Sequence, residues 1–395
     1  MKNYTTFLLS ILFTVIGYSQ SVIKTMLRLP DTGQNSSYTS TFGEDNDYNI
    51  NNPYFIIHGD GTITDTITGL MWQQIDGGEM TIENAITYCG ALTLAGYSDW
   101  RLPNAHEAFS ILNFQNTNPS LNTSVFPISL AEYWWTSDRQ LNDNTKVWVT
   151  NSGGGIGNHP KTETISAGGP KYFHTRAVRD IYPNSTIPNH FTDNLNGTIT
   201  DNVTNLIWQK NAIADSLTWE GALIKADTML LGGYNDWRLP NIKELQSINN
   251  EQIMNPSINT TYFANIGIDK VWSSTTLPNQ TTKAWYLDTQ YGVTTYQTKT
   301  IKQKVLFVRT NQNVTAQLFD EFTMNASGFL FPNPFTSAIM LPKNLENVSA
   351  VLLNNLGEII YSGKQIQMQD FSNLPVGIYF VTIKQDKSMT YKLVK

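Results

Sequence analysis

One cysteine in 395 residues, Cys89, leaves no intramolecular disulfide framework and no multi-cysteine zinc or iron–sulfur site. The five histidines (His58, His106, His159, His174 and His190) are scattered, without metal-ligand spacing. Charged residues make up only 15% of the chain, against a usual ~25%. Lys and Arg number 26 against 32 acidic residues, a net charge of −6. Nucleic acid needs clustered cations that release counterions, so it is not an expected partner. Ser-centred nucleophile elbows, paired-carboxylate motifs and phosphate loops are also missing, so no catalytic residue is expected and the chain reads as a non-enzyme. Beyond the N-terminus no stretch approaches eighteen apolar residues, and the mature chain is expected to be soluble, with no transmembrane segment.

Hydrophobic residues at 40% and aromatic residues at 12% can build real cores, and the length suggests two or three domains. The first twenty residues, MKNYTTFLLSILFTVIGYSQ, place Lys2 ahead of an apolar run from Phe7 to Ile16. Gly17 and Ser19 suit positions −3 and −1 of a cleavage site, so 1–19 reads as a signal peptide. Residues 20–49 form an N-terminal lead-in.

From Phe329 onward short apolar strands alternate with turns such as Pro332-Asn333-Pro334, Asn355-Leu356-Gly357 and Pro375-Val376-Gly377. Their spacing predicts a small all-β sandwich over 329–395, after a linker at 311–328. Six lysines against four acidic residues give this tail +2 and leave −8 upstream. The tail opens on Pro-Asn-Pro-Phe, carries a central Asn-Asn-Leu-Gly-Glu turn and a Leu-Pro-x-Gly-Ile-Tyr-x-Val strand, and finishes on Lys-Leu-Val-Lys. In that order and position it resembles the C-terminal sorting domain of the type IX secretion system. The resemblance implies export through the inner membrane and recognition of the tail by the outer-membrane machinery as a partner. It further implies release or surface anchoring with the tail removed, which places the mature protein outside a Gram-negative cell or on its outer-membrane surface.

The middle of the chain is one unit written twice. Gly61-Thr62-Ile63-Thr64-Asp65 recurs at Gly197-Thr198-Ile199-Thr200-Asp201, and Leu70-Met71-Trp72-Gln73 at Leu206-Ile207-Trp208-Gln209, an offset of 136. Gly96-Tyr97-Ser98-Asp99-Trp100-Arg101-Leu102-Pro103-Asn104 recurs at offset 137, and Val178-Arg179 at offset 130. The seven extra residues of copy one are placed in the Gly153–Pro170 loop, rich in Gly and Ser. Helices are expected behind Thr81 and Thr218, and again behind Asn104 and Asn241, where Glu107 and Glu244 complete capping boxes. The last third of each copy is strand-like and aromatic.

Both copies, about 50–180 and 190–310, resemble the Lcl C-terminal domain family on the Gly-Thr-Ile-Thr-Asp…Leu-x-Trp-Gln opening, the Tyr-x-Asp-Trp-Arg-Leu-Pro-Asn turn and the Trp-[Ser/Thr]-Ser close. The resemblance implies an α+β fold of two tandem C-type-lectin-like modules, followed by the all-β tail. The founding example of the family is an adhesin domain that binds sulfated glycosaminoglycans through a basic, trimeric surface. Here the body carries −8 and no Lys/Arg run, so the expectation moves to another extracellular glycan or a surface protein. The function read from these features is a secreted or cell-surface, adhesin-like binding protein. Its alternatives are a cell-envelope protein–protein interaction module and a cryptic polysaccharide hydrolase.

The most distinctive polar residues are Asp99 and Arg101 and their counterparts Asp236 and Arg238. They read either as a ligand-contacting pair beside a Trp platform or as ties within a buried turn. The second reading is preferred because Leu-Pro-Asn opens the next helix directly. Trp72, Trp135, Trp148 and their partners Trp208, Trp272 and Trp285 fit a core. Trp134 has no aromatic counterpart, since Val271 stands there, so it or Trp135 is the indole expected to face a ligand. A calcium loop around Gly61 or Gly197 would put Ile67 or Val203 at position twelve, where a bidentate Glu is required. No cofactor is therefore expected, and calcium is without support. Some relatives in the lectin superfold make formylglycine with paired cysteines. A lone Cys89 at a helical core position does not fit that chemistry and reads as a small apolar filler.

Overall fold

The computed structural model describes residues 21–311 apart from Asn49, 128–131, 164–167 and Pro183. In the tail it describes Phe335, 337–339, Leu341 and 348–395, apart from Asn355 and 385–387. The signal peptide, its cleavage site, linker residues 312–328 and the Pro332-Asn333-Pro334 opening lie outside the described residues. The chain divides into two compact units, Met1–Thr310 and Asn311–Lys395.

Each copy opens on a hairpin whose turn the sequence builds locally. Strand Thr62–Asp65 returns as Leu70–Gln73, and the Asp65 carboxylate accepts the Ile67 and Thr68 amides at 2.9 and 3.3 Å. Asp201 accepts the Val203 and Thr204 amides at 2.9 and 3.2 Å between Thr198–Asp201 and Leu206–Gln209. Such side chains replace backbone partners and tighten the turn. Gly61 and Gly197 lead in at φ +87° and +86°, a region glycine enters without the steric cost other residues meet. Phe55–Ile57 and Val178–Asp180 complete the first four-stranded antiparallel sheet, and Phe191–Asp193 and Val308–Thr310 the second.

The second sheet of each copy is built on aromatic strands. In copy one, Tyr133–Arg139, Lys146–Asn151 and Gly155–Pro160 are antiparallel neighbours, with Phe173–His174 and Glu79–Met80 added at the far edge. In copy two, Lys270–Thr276, Lys283–Asp288 and Val293–Thr298 repeat the core of that sheet. Trp148 pairs with Asn158 and Trp285 with Tyr296, so the offset past the hairpin is 138. Copy two thus gains one residue in that turn, and the excess of copy one is eight residues beyond Pro160 rather than seven spread from Gly153.

Four α-helices occur among the described residues: α1 (Ile82–Ala91), α2 (Ala105–Ser110), α3 (Trp219–Asp227) and α4 (Ile242–Ser247). Thr81 and Thr218 cap α1 and α3, and full capping boxes start α2 and α4. The expected α+β fold of C-type-lectin-like modules does not hold. The structure is mostly β, with 33% strand and 11% helix in several small sheets. The helical apolar spacing behind each cap runs for only six to ten residues, too short to form a helical layer. Trp72, Trp135, Trp148, Trp208, Trp272 and Trp285 are instead buried on short antiparallel strands. Among the described residues the tail departs from a sandwich as well. Its described strands form one antiparallel sheet in the order Ile359–Lys364, Ser349–Asn354, Ile378–Lys384, Ser388–Val394. The inner face of that sheet is covered by Phe335, Ile339, Leu341, Ile366 and Phe371 from non-strand segments.

The two copies share a core and meet reciprocally. A Cβ on Gly154 would come within 2.7 Å of the Trp285 ring, and one on its counterpart Gly292 within 3.0 Å of the Trp148 ring. Only glycine admits both close approaches, and both sit at positive φ. Residue i of one copy touches residue j of the other and the reverse, as at a two-fold interface. The second residue of each short helix reaches across: His106 of α2 to Glu251 at 3.1 Å, and Lys243 of α4 to the Ser110 carbonyl at 2.7 Å. The lead-in laces the joint. Gln34 donates to the Phe114 and Thr276 carbonyls at 3.2 and 2.9 Å, and Lys243 Nζ also donates to the Asp31 carbonyl at 2.8 Å.

Burial alone would lower the His106 pKa, but the Glu251 charge outweighs it and holds the imidazolium up to about 9, against an ordinary 6.5. A raised histidine contributes stability that is full below pH 6.5 and is lost as pH rises toward 9. The melting-temperature gap between the parent and His106→Gln is therefore expected to narrow steadily across that window in pH-resolved thermal melts. A gap that stayed constant would show that His106 does not titrate there.

Candidate functional site

The Asp-Trp-Arg-Leu-Pro-Asn turn is consumed by its own architecture. Arg238 places Nη1 and Nη2 2.6 Å from both Glu244 oxygens, and the same carboxylate accepts the Asn241 amide at 2.9 Å while Asn241 Oδ1 caps Glu244 N. One glutamate thus closes the capping box and receives a bidentate arginine, the strongest geometry available to such a pair. Copy one repeats this with Arg101 and Glu107 at 2.7 Å, and Asp180 adds a second carboxylate at 2.7 Å. Asp99 and Asp236 turn away from these arginines and pair with Arg179 and Arg309 (2.7 and 2.6 Å). Arg179 and Arg309 each lie 3.8 Å from a tyrosine ring, Tyr97 and Tyr234. Trp100 and Trp237 are buried.

Trp134 and Trp135 are 6% and 1% exposed, so neither indole faces outward. Trp134 lies under the Arg176 guanidinium, 5.0 Å from its ring, beside the His174 ring at 4.9 Å. Arg176 donates to the Gln73 and Gln74 carbonyls, and burial lowers its pKa to about 10. The cavity beside Trp134 holds about 20 Å³, space for about one water. The six residues singled out from sequence are therefore not brought together into one site. Cys89 is buried, and burial pushes its thiol up to about 12.

A larger concavity lies elsewhere, between the two copies. It encloses about 620 Å³ and is bordered by the aromatic sheets of both. Copy one contributes Tyr133, Asn151, Asn158 and His159; copy two contributes Gln280, Trp285, Thr295 and Tyr296. The glycine-rich strand Gly155–Pro160 gives copy one a low wall, since Gly155 and Gly157 carry no side chain. Tyr133 stacks on Phe173 at 5.1 Å and tilts against His159 at 4.8 Å. Tyr296, 40% exposed, stands edge-on to Trp285 at 5.4 Å. Burial, reinforced by the Lys171 charge, lowers the His159 pKa below its ordinary 6.5. Among the described residues the groove lining holds no Asp, Glu, Lys or Arg.

Comparison with known families matches the Lcl C-terminal domain at residues 61–179 and again at 197–309. The chain belongs to the Lcl C-terminal domain family. A second match, to a secretion system C-terminal sorting domain, covers residues 329–395, so the protein is a secreted or cell-surface protein that engages type IX secretion machinery. A comparison with curated proteins finds no match. Among the described residues no helix is long and apolar enough to cross a membrane.

Within the two Lcl C-terminal domains, the matched motif residues build the scaffold, and the groove arises where the domains meet. Sequence reasoning missed Asn151, Asn158, His159, Gln280 and Tyr296 because no motif connects them. The available signal was the Gly153–Gly157 run, which reads as a loop until its strand is seen against copy two.

The two arginine forks differ in burial, and that difference is measurable. Arg238 is 4% exposed, whereas Arg101 is 33% exposed and keeps Asp180. Glu244→Ala leaves a buried cation unpaired and is expected to cost about 3–5 kcal/mol in denaturant unfolding. Glu107→Ala is expected to cost clearly less, and equal losses would contradict this account.

Proposed function

We propose that the protein is a non-enzymatic binding protein that holds an extracellular glycan in the groove between its two Lcl C-terminal domains, outside the cell. The observation that carries this reading is the groove lining: amide, hydroxyl, imidazole and aromatic side chains without a charged group among the described residues. Its volume falls within the range of sites that bury a small ligand. Amides and hydroxyls hydrogen-bond sugar hydroxyls, and aromatic rings offer apolar faces to sugar C–H groups. Glycoside hydrolysis ordinarily needs two carboxylates flanking the scissile bond, and the lining supplies neither, which supports binding without turnover. Duplication then acts through joint construction of one groove, in place of two separate weak sites.

Two experiments test the reading. The secreted protein applied to a glycan array is expected to give discrete positives; a blank array alongside capture by a cell-surface protein would favour a protein partner. Deleting 329–395 is expected to trap the chain in the periplasm, as read by fractionation, and normal surface exposure of the deletion would refute the sorting role.

A further inference from the structure

The groove lies where the two copies differ in charge. Tyr133 and Asn151 are opposite each other across the first two strands of the copy-one sheet and line the groove. In copy two the same register positions hold Lys270 opposite Asp288, and neither lines it. On the other wall, Gln280 of copy two accepts the Lys283 amide at its carbonyl (2.8 Å), as Asp143 of copy one accepts the Lys146 amide (3.0 Å). Gln280 lines the groove and Asp143 does not. At three aligned positions, then, the copy that borders the groove carries an uncharged side chain where its sister carries a charge. Copy two shows that the fold accepts Lys and Asp at the first two positions, and copy one that it accepts Asp at the third. Tyr133 has a packing role of its own against Phe173 and His159, so the inference rests on Asn151 and Gln280, where the sister copy shows that the fold accepts Asp.

We infer that the ligand is an uncharged polysaccharide, free of sulfate and uronate groups. This rests on the reading of the groove as the glycan site. A polyanion needs several cations converging on it. Among the described residues two separate cations stand near it, Lys283 with Nζ 5.1 Å from the Tyr296 ring and Lys171 with Nζ 5.8 Å from the Phe173 ring, and neither lines it. Carboxylates or ammonium groups in the lining would also carry a desolvation cost when a neutral chain covered them. Amides at Asn151 and Gln280 hydrogen-bond sugar hydroxyls without that cost. Tyr296, the most open of the aromatic side chains in the lining, supplies the apolar contact.

The test titrates the secreted protein with laminarin, mannan and dextran as uncharged probes and heparin and alginate as charged ones. The expected result is saturable binding of an uncharged polymer whose affinity changes less than about twofold between about 50 and 500 mM salt. Tyr296→Ala, Asn151→Asp and Gln280→Asp are each expected to weaken it by about tenfold. The two Asp variants should melt close to the parent, because the sister copy carries Asp at those positions. Salt-sensitive binding of the charged polymers alone, lost in Tyr296→Ala, would overturn the ligand class and leave the groove reading intact. Uncharged-polymer binding indifferent to all three variants would overturn the groove. Failure to bind any of the five polymers would overturn the polysaccharide assignment itself.

Discussion

The glutamate at the third position of each short helix is the constraint on which the rest of the tandem body depends. Glu107 and Glu244 each close a capping box and take a bidentate arginine from three residues before the cap. A six-residue helix has little intrinsic stability. These two start at a fixed place and angle because one carboxylate accepts the amide of the capping asparagine and holds the preceding turn through its arginine. That placement points His106 and Lys243 at the opposite copy. It also brings Ile242 and Trp285 of copy two into the same core as Phe109 and Trp148 of copy one.

Reciprocal packing explains why the two copies form one compact unit rather than two beads. Gly154 and Gly292 let each copy's hairpin turn approach a tryptophan of the other, and the lead-in adds Gln34 and Asp31 to the joint. Symmetry is then broken in the details. Copy one has an extra segment after Pro160, a buried Trp134–Arg176 stack where copy two has Val271 and Leu306, and glycines where copy two has Val293 and Thr295. Groove walls built from such unequal halves present different chemistry on each side.

Much of the local structure was legible. The Asn-x-x-Glu boxes, the Asp-Gly and Asn-Gly turns and the Thr caps were readable because each depends on residues within four positions of one another. Arg101 and Arg238 pair with glutamates six residues on, within reach of local reading, whereas Asp99 and Asp236 pair with Arg179 and Arg309, more than seventy residues away. Sequence pattern misled at two points. Short capped helices suggested a larger helical share than a mostly β fold contains. Trp134, lacking an aromatic counterpart, suggested an outward indole, yet Arg176 covers it. Arg176 reads as an ordinary surface cation until its carbonyl partners and the Phe126 ring at 4.8 Å are seen around it.

By itself the sequence determined the duplication, the tail and its address, and the capped turns, because repeats, terminal motifs and caps are written in contiguous residues. Tertiary structure alone decided that the copies close on each other and that a neutral groove opens between them. Tyr133, Asn158 and Tyr296 come from three strands of two copies, and only packing across the joint brings them to one surface.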